Sequence, residues 1–242
     1  AIREPIWLTK NETASRVRGR IETVMDYAKA KEYFEGDNPA AWKGVLKPLL
    51  PMPSKVQTKK HHAALPYKEI ASFMAELRQR AGISARALEF SILTVARSGE
   101  IRGAEWSEID LDTKTWIIPA ERMKAAKEHR VPLSDTAVEI LKVLPRFTDN
   151  NLVFPAPRGG QLSDMSLTAV LKRMGRSDLT QHGFRSTFRE WAGETTTYQR
   201  EVIEHALAHQ LADKAEAAYQ RGTLWPKSVT LMDDWTIYCS VG

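Results

Sequence analysis

The sequence has a single cysteine, Cys239, which excludes a disulfide within the chain and indicates a reducing compartment. No apolar run approaches the roughly 18 residues that a membrane-spanning helix needs, and the first residues do not read as a signal peptide. Internal repeats and low-complexity tracts are also absent. The chain begins at Ala1 without methionine, in what reads as the middle of a domain. We therefore expect a cytoplasmic protein whose N-terminal part is missing from this sequence.

Hydrophobic residues make up 43% of the 242 residues, enough for one large domain, or for one domain with a fragment of another. The net charge is +5, and its distribution is uneven. The first 65 residues hold 12 basic and 7 acidic residues, whereas the remaining residues hold 23 of each sign. A basic segment favours contact with the phosphate backbone of DNA. A solvated surface explains any single lysine there equally well.

The first 62 residues are predicted to form helices followed by a linker. Residues 13–33 have apolar side chains at helical spacing, among them Val17, Ile21 and Val24, and read as an amphipathic helix. A short helical stretch over 42–50 follows. Prolines and lysines then predict a linker that ends near residue 62.

The rest of the chain is predicted to be mainly helical, with a small three-stranded antiparallel sheet. Alternating patterns predict strands over 106–111, 115–119 and 129–133, and Asp112-Thr113-Lys114 turns the first into the second. Helical patterns predict eight helices, over 66–80, 84–96, 135–144, 166–173, 183–194, 200–208, 212–221 and 227–238.

Five polar residues occur in an informative order along the second part of the chain, namely Arg97, His182, Arg185, His209 and Tyr219. A phosphodiester carries charge on its non-bridging oxygens, and guanidinium groups meet that charge with fixed, permanently charged donors. Histidines donate hydrogen bonds and move protons near neutral pH. A phenolic oxygen can attack the phosphorus. The set is therefore suited to phosphodiester chemistry.

The same order resembles that of the tyrosine recombinases, and closely that of the integrases related to satellite phage P4. The resemblance is specific because its elements extend over more than 120 residues, from Arg97 to Tyr219. It implies a tyrosine recombinase catalytic fold over 65–242 and a C-terminal remnant of a helical core-binding domain over 1–50. Residues 51–64 would form a basic linker between the two.

The resemblance assigns a role to each of these residues. Tyr219 would be the nucleophile that forms a 3′-phosphotyrosyl bond, so that no cofactor is needed. Arg97 and Arg185 would bind the non-bridging oxygens. His182 would shuttle a proton for Tyr219, and His209 would donate to a phosphate oxygen.

Two neighbouring positions modify this assignment. Glu100, three residues after Arg97, is interpreted as a partner that orients an arginine rather than as a metal ligand. Ala208 stands where the family more often has glycine before the histidine, which is a small change to the backbone.

The general acid has two candidates in the turn between the second and third strands, where the family places a lysine. Lys124 lies eight residues before Pro132, which suits the tip of the hairpin, and we favour it. Lys127 stands beside Glu128 and is the alternative, since a salt bridge or solvation explains it equally well.

Further expectations concern ligands and partners. Double-stranded DNA at attachment sites is the expected partner, with five expected contact residues, Arg16, Arg20, Lys55, Lys59 and Lys60. The family implies a monomer without DNA, a homotetramer in the synaptic complex, and accessory DNA-bending or excision factors. No metal site is expected, because His61 and His62 have no cysteine or carboxylate at ligand spacing.

Three rival functions stay open at the level of the sequence. A type IB topoisomerase uses the same chemistry without synapsis, and an inactive recombinase-like protein would bind DNA only. A metal-dependent nuclease is disfavoured because acidic residues are sparse around the motifs. The last helix carries the stripe Leu231, Trp235 and Tyr238, for which docking on a neighbouring protomer and packing in its own domain are both open.

Overall fold

The computed structural model describes residues 4–56, 63–209 and 224–241 of the chain. The chain divides into two compact units, residues 1–61 and residues 62–242. Among the described residues, no helix combines the length and the apolar character needed to cross a membrane.

The described residues of the first unit form three α-helices, α1 (Glu4–Trp7), α2 (Asn11–Ala30) and α3 (Pro53–Val56). Trp7 on α1 is fully buried. Its ring stacks on Trp42 at a centroid distance of 5.6 Å, and its Nε1 donates to the carbonyl oxygen of Pro51 over 2.9 Å. The loop that follows α2 is therefore tied back onto α1.

The first unit departs from the sequence prediction in two places. The helix expected over 42–50 is only a turn, Trp42–Leu46, in which Gly44 has φ +80°. Such a left-handed residue cannot continue a right-handed helix. The apolar positions predicted to form one face of α2 are largely exposed, with Val24 at 64%, because the packed face of α2 carries Arg18 and Glu22 instead.

The second unit contains eight described helices and the sheet. The helices are α4 (Ile70–Arg78), α5 (Ile83–Leu93), α6 (Ser98–Arg102), α7 (Asp135–Val143), α8 (Ser166–Arg173), α9 (Gly183–Thr195), α10 (Arg200–Ala206) and α11 (Trp225–Tyr238). The short helix α6 was not predicted, and the helix predicted over 212–221 lies outside the described residues.

The core is built around α5, in which every residue from Ala87 to Leu93 is buried. A helix that is buried on all sides must lie at the centre of a helical domain. Even Glu89 is buried, and its carboxylate accepts from Arg78 over 2.8 Å and from Arg86 over 2.6 Å. The charge is therefore paired in the interior, as a buried carboxylate requires.

Three strands form an antiparallel sheet in the order β1 (Ile109–Asp110), β2 (Thr115–Ile118), β3 (His129–Pro132). The register pairs Ile109 with Trp116 and Ile118 with His129. The mainly helical fold with a small antiparallel sheet is thus confirmed. The first strand is shorter than predicted, because Trp106–Glu108 forms a 3₁₀ turn.

The stripe on α11 packs within its own unit. Leu231 and Trp235 are fully buried, and Trp235 Nε1 donates to the carbonyl oxygen of Ile92 over 2.9 Å. The Trp235 ring also contacts Trp191, with centroids 5.0 Å apart. In this structure the stripe therefore belongs to the core, and docking of these two side chains on a neighbouring protomer would require them to leave it.

Candidate active site

Arg97 is held where the chain leaves α5 and enters α6. The preceding Val95 has φ +49°, which reverses the chain, and Arg97 is the residue before the first turn of α6. The buried Glu100 accepts from Arg97 twice, from the backbone N–H over 2.7 Å and from Nη1 over 2.8 Å. Because one carboxylate fixes both the backbone and the guanidinium, Arg97 has little freedom to rotate.

Arg185 lies on α9 and is 4% exposed. Its Nη1 donates to the carbonyl oxygen of Val95, and its Nη2 donates to that of Leu207 over 2.5 Å. Nε is buried without a hydrogen-bond partner among the described residues. Burial lowers the pKa of Arg185 to about 10, and the charge of Arg97 contributes in the same direction. The guanidinium still carries its charge at neutral pH.

The end of α10 supplies the carbonyl groups that both arginines contact. Arg97 Nη2 donates to the carbonyl oxygens of Leu207 and Ala208 over 3.3 and 3.1 Å. Ala208 has φ +48°, and the backbone N–H of His209 reaches the carbonyl oxygen of Glu204 over 2.9 Å. This is a Schellman ending, in which glycine is the usual left-handed residue. The helix dipole adds negative potential where the two cations lie.

His209 follows this turn and is bound on both ring nitrogens. Nδ1 lies 2.6 Å from Oε2 of Glu204, and Nε2 lies 3.2 Å from Nη2 of Arg185. A carboxylate only accepts hydrogen bonds and a guanidinium only donates them. The contact with the carboxylate therefore calls for a proton on Nδ1, and the contact with the guanidinium calls for the lone pair of Nε2.

His182 precedes α9 and is exposed. The residues on either side of it anchor the start of the helix beside Arg97, since Gln181 Nε2 donates to the carbonyl oxygen of Ala96 over 3.0 Å. At Gly183 an added Cβ would lie 2.1 Å from the carbonyl oxygen of Ala63. Only glycine permits so close an approach of the two backbones.

Lys124 is exposed on the loop between β2 and β3. Arg122 anchors that loop, because its Nη1 contacts Glu108 and its Nη2 donates to the carbonyl oxygen of Glu100 over 2.5 Å. Lys124 lines an open concavity of about 480 Å³ together with Arg97, Ala125, Ala126, Ala208 and His209. Lys127 is not among the residues that line it.

A half-buried histidine pair lies near this cluster. The rings of His129 on β3 and His205 on α10 have centroids 5.8 Å apart, and Nδ1 of His205 lies 3.1 Å from Ser228 Oγ. Burial lowers the pKa of His129 to about 4, and the neighbouring His205 contributes to the shift. Both rings are therefore neutral at physiological pH. The sequence interpretation missed this pair, although His129 stands beside the predicted general-acid loop.

The structure brings Arg97, Glu100, Lys124, Arg185 and His209 together. Tyr219, Lys59, Lys60, His61 and His62 lie outside the described residues. Three of the expected DNA contacts are in the first unit and exposed, namely Arg16, Arg20 and Lys55, and Arg16 pairs with Glu12 over 2.6 Å. Within the described ranges, no three metal-binding side chains form a cluster.

The sequence interpretation also missed Glu204. Its position five residues before His209 gave no helical-face signal, because the left-handed residue Ala208 ends the helix and turns His209 back toward the carboxylate.

The sequence of this chain matches two family profiles. The family profile described as "Phage integrase family" matches residues 64–222, and that of the "Phage integrase central domain" matches residues 1–45. The chain therefore belongs to the phage integrase family, which confirms the resemblance read from its arginines, histidines and tyrosine.

Two curated relatives illustrate the similarity. The integrase of Enterobacteria phage P4 is 32% identical over 230 residues, which are 87% of this chain and 51% of the relative. Prophage integrase IntZ of Escherichia coli (strain K12) is 34% identical over 211 residues, 83% of this chain and 49% of the relative. The chain thus spans about half the length of the curated relatives it matches, and the P4-like resemblance is confirmed.

Solved structures share the fold. A lambda integrase dimer bound to a COC′ core site has a TM-score of 0.59 and 17% identity, over 88% of this chain and 74% of that one. A lambda integrase tetramer bound to a Holliday junction has a TM-score of 0.60 and 16% identity, over 85% and 61% of the respective chains.

Proposed function

We propose that this chain is the catalytic part of a site-specific DNA recombinase, an integrase, that cleaves and rejoins DNA through a 3′-phosphotyrosyl intermediate. The observation that carries the proposal is the convergence of Arg97, Lys124 and His209 on one concavity, with Arg185 directly behind His209. These residues come from four separate parts of the chain. No packing requirement of the core calls for two guanidinium groups at one helix end.

A phosphodiester placed in the concavity would contact Arg97 and His209 directly. Arg185 lies behind His209 and would act on the phosphodiester through that side chain. Both guanidinium groups are pre-oriented, Arg97 by Glu100 and Arg185 by backbone carbonyl groups. Donors fixed before the substrate arrives stabilise the charge that develops in the transition state without reorganising. Positioning and electrostatics are the main protein contributions in such reactions.

Within this proposal Tyr219 attacks the phosphorus and forms the phosphotyrosyl bond, while the 5′-oxygen leaves. Lys124 protonates that oxygen, which its place in the concavity supports over Lys127. His182 takes the phenolic proton, and the phosphotyrosyl bond stores the energy for rejoining. The reaction therefore calls for no nucleotide cofactor.

The partners follow from the same proposal. Double-stranded attachment-site DNA is the substrate, and a homotetramer forms at the synapse from monomers, assisted by DNA-bending or excision factors. Exposed Arg16, Arg20 and Lys55, together with Lys59 and Lys60, contact the backbone. The protein acts in the bacterial cytoplasm at the nucleoid.

The proposal is tested by trapping the covalent adduct on a nicked attachment-site duplex and mapping the modified residue. Tyr219→Phe should abolish the adduct and leave DNA binding nearly intact, since the phosphate contacts of the arginines remain. Tyr198→Phe is the matched control, because its hydroxyl donates to Asp234 over 2.7 Å and burial raises its pKa to about 12.

An adduct that persists in Tyr219→Phe would contradict the assignment of the nucleophile. Adduct formation that EDTA prevents would favour a metal-dependent nuclease. Relaxation of supercoiled DNA without a specific site would favour a type IB topoisomerase. DNA binding without any adduct would favour an inactive recombinase-like protein.

A further inference from the structure

Glu204 is a buried carboxylate that links two other side chains. Its side chain is 9% exposed on α10. Oε1 accepts from Arg189 on α9, over 2.7 Å from Nε and 2.6 Å from Nη2. Oε2 accepts from Nδ1 of His209 over 2.6 Å. The three residues form a chain that begins at the exposed Arg189 and ends at the ring facing Arg185.

The carboxylate is ionised in this setting. Burial by itself raises the pKa of Glu204, but the hydrogen bonds from His209 and Arg189 outweigh it, so the pKa lies below its ordinary value. A buried carboxylate is costly unless it is paired and hydrogen-bonded, as this one is. An apolar residue would fill the same volume without that cost, so the carboxylate is present for its contacts with Arg189 and His209.

The contact with Glu204 decides which ring nitrogen of His209 carries a proton. Because Oε2 can only accept, it fixes the proton on Nδ1 and turns Nε2 toward Arg185, 3.2 Å from its Nη2. Nε2 then has no proton to give. For His209 to donate to a phosphate oxygen, Nε2 must take up a proton from solvent, and Arg185 must transfer that Nη2 contact to the phosphate.

We propose that Glu204 is a positioning residue for the reaction, acting through His209. It orients the ring so that Nε2 faces Arg185, and its negative charge stabilises the imidazolium that forms when Nε2 binds a proton. Arg189 holds the carboxylate in place. This inference rests on the proposed function for its catalytic consequence, but its structural part does not.

The structural part is tested without DNA, by ¹⁵N NMR of the His209 ring at neutral pH in the chain itself. The unmodified chain should show the Nδ1–H tautomer. Glu204→Gln keeps the shape but offers either an oxygen or an amide group, so the tautomer should become mixed. A dominant Nε2–H tautomer in the unmodified chain, or His209 signals unchanged in Glu204→Gln, would overturn the proposal whether or not the protein is a recombinase.

The catalytic part is tested by the rate of adduct formation on the nicked duplex. Glu204→Gln should slow that rate by roughly 10- to 100-fold, the loss seen when the hydrogen-bond partner of a metal-binding histidine is removed, with little change in DNA affinity. Glu201→Gln makes the same charge change on the same helix and should behave like the unmodified chain.

A double-mutant cycle separates positioning from a general structural effect. In a His209→Phe background Glu204→Gln should cause no further loss of rate, because the residue through which it acts is gone. Losses that simply multiply would overturn the proposal. If no variant or parent forms an adduct, the proposed function fails and the NMR result alone decides the role of Glu204.

Discussion

Arg97 and Arg185 donate to the same acceptor, the carbonyl oxygen of Leu207, over 3.3 and 2.5 Å. Burial is the main cause of the lowered pKa of Arg185, and repulsion between these two like charges adds to it. The cluster is held together by Glu100 on one side and by the carbonyl end of α10 on the other. An anion that binds between the two guanidinium groups would relieve their repulsion.

The first prediction concerns Glu100→Gln. The amide keeps the shape of the side chain but has only one acceptor oxygen and no charge. It therefore cannot accept from both the backbone N–H and the guanidinium of Arg97. We expect a loss of unfolding free energy of about 1–3 kcal/mol and slower adduct formation. Glu121→Gln, an exposed neighbour on the 120–122 turn, is the control. Unchanged stability and rate in Glu100→Gln would show that the two contacts do not orient Arg97.

The second prediction identifies the general acid. Lys124→Ala should slow cleavage of ordinary DNA on the order of 10²–10⁴-fold. In a substrate with sulfur at the bridging 5′ position, the leaving group is a thiolate that scarcely needs a proton. The variant should therefore cleave this substrate at nearly the parent rate. Lys127→Ala should show neither defect nor rescue. If the sulfur substrate rescues Lys127→Ala instead, Lys127 is the general acid. If it rescues neither variant, His182 is the next candidate for the general acid.

The third prediction concerns the close backbone approach at Gly183. In Gly183→Ala the new methyl group would collide with the carbonyl oxygen of Ala63, so we expect a destabilisation of about 1–3 kcal/mol in denaturant unfolding. Gly193→Ala lies on the same helix with nothing within 4 Å of the new Cβ. It should be neutral or stabilising by up to about 1 kcal/mol. Equal effects of both substitutions would contradict the close approach.

The fourth prediction concerns the end of α10. Ala208 adopts φ +48°, a conformation that costs a residue with a Cβ roughly 1 kcal/mol relative to glycine. Ala208→Gly should therefore raise the free energy of unfolding by up to about 1 kcal/mol. Ala206→Gly, inside the helix, should lower it by about the same amount. A loss of stability in Ala208→Gly would mean that the left-handed turn is not under strain.

The fifth prediction concerns the pH dependence of stability that His129 contributes. Its pKa falls from an ordinary 6.5 to about 4 in the folded chain, so the unfolded state binds more protons between these values. Stability contributed by the neutral ring is thus fully present above pH 6.5 and is lost as the pH falls toward 4. The total is on the order of 3 kcal/mol.

Thermal unfolding at pH 7.5 and pH 5 measures this contribution. The parent chain should lose more stability between the two values than His129→Gln does. The difference between the two proteins is the quantity of interest, because carboxylates titrate equally in both. An identical loss would show that His129 is not held neutral in the fold.

The sequence determined the element types and most of their positions, because hydrophobic periodicity is a local property. The helix predicted over 166–173 coincides with α8, and the sheet has the predicted number of strands. The residue types of the candidate site could also be predicted from the sequence, because the chemistry of two arginines, two histidines and a lysine does not depend on the fold.

The tertiary structure decided how those residues are oriented. Arg97 meets Leu207 across 110 positions of sequence, and Arg185 meets Val95 across 90. Such contacts depend on helix packing and have no local signature. The roles of Glu204 and of the left-handed Ala208 follow from the same packing, because a carboxylate or a turn acquires its role only when the fold places its partners beside it. The packing of the α11 stripe in its own unit was decided in the same way.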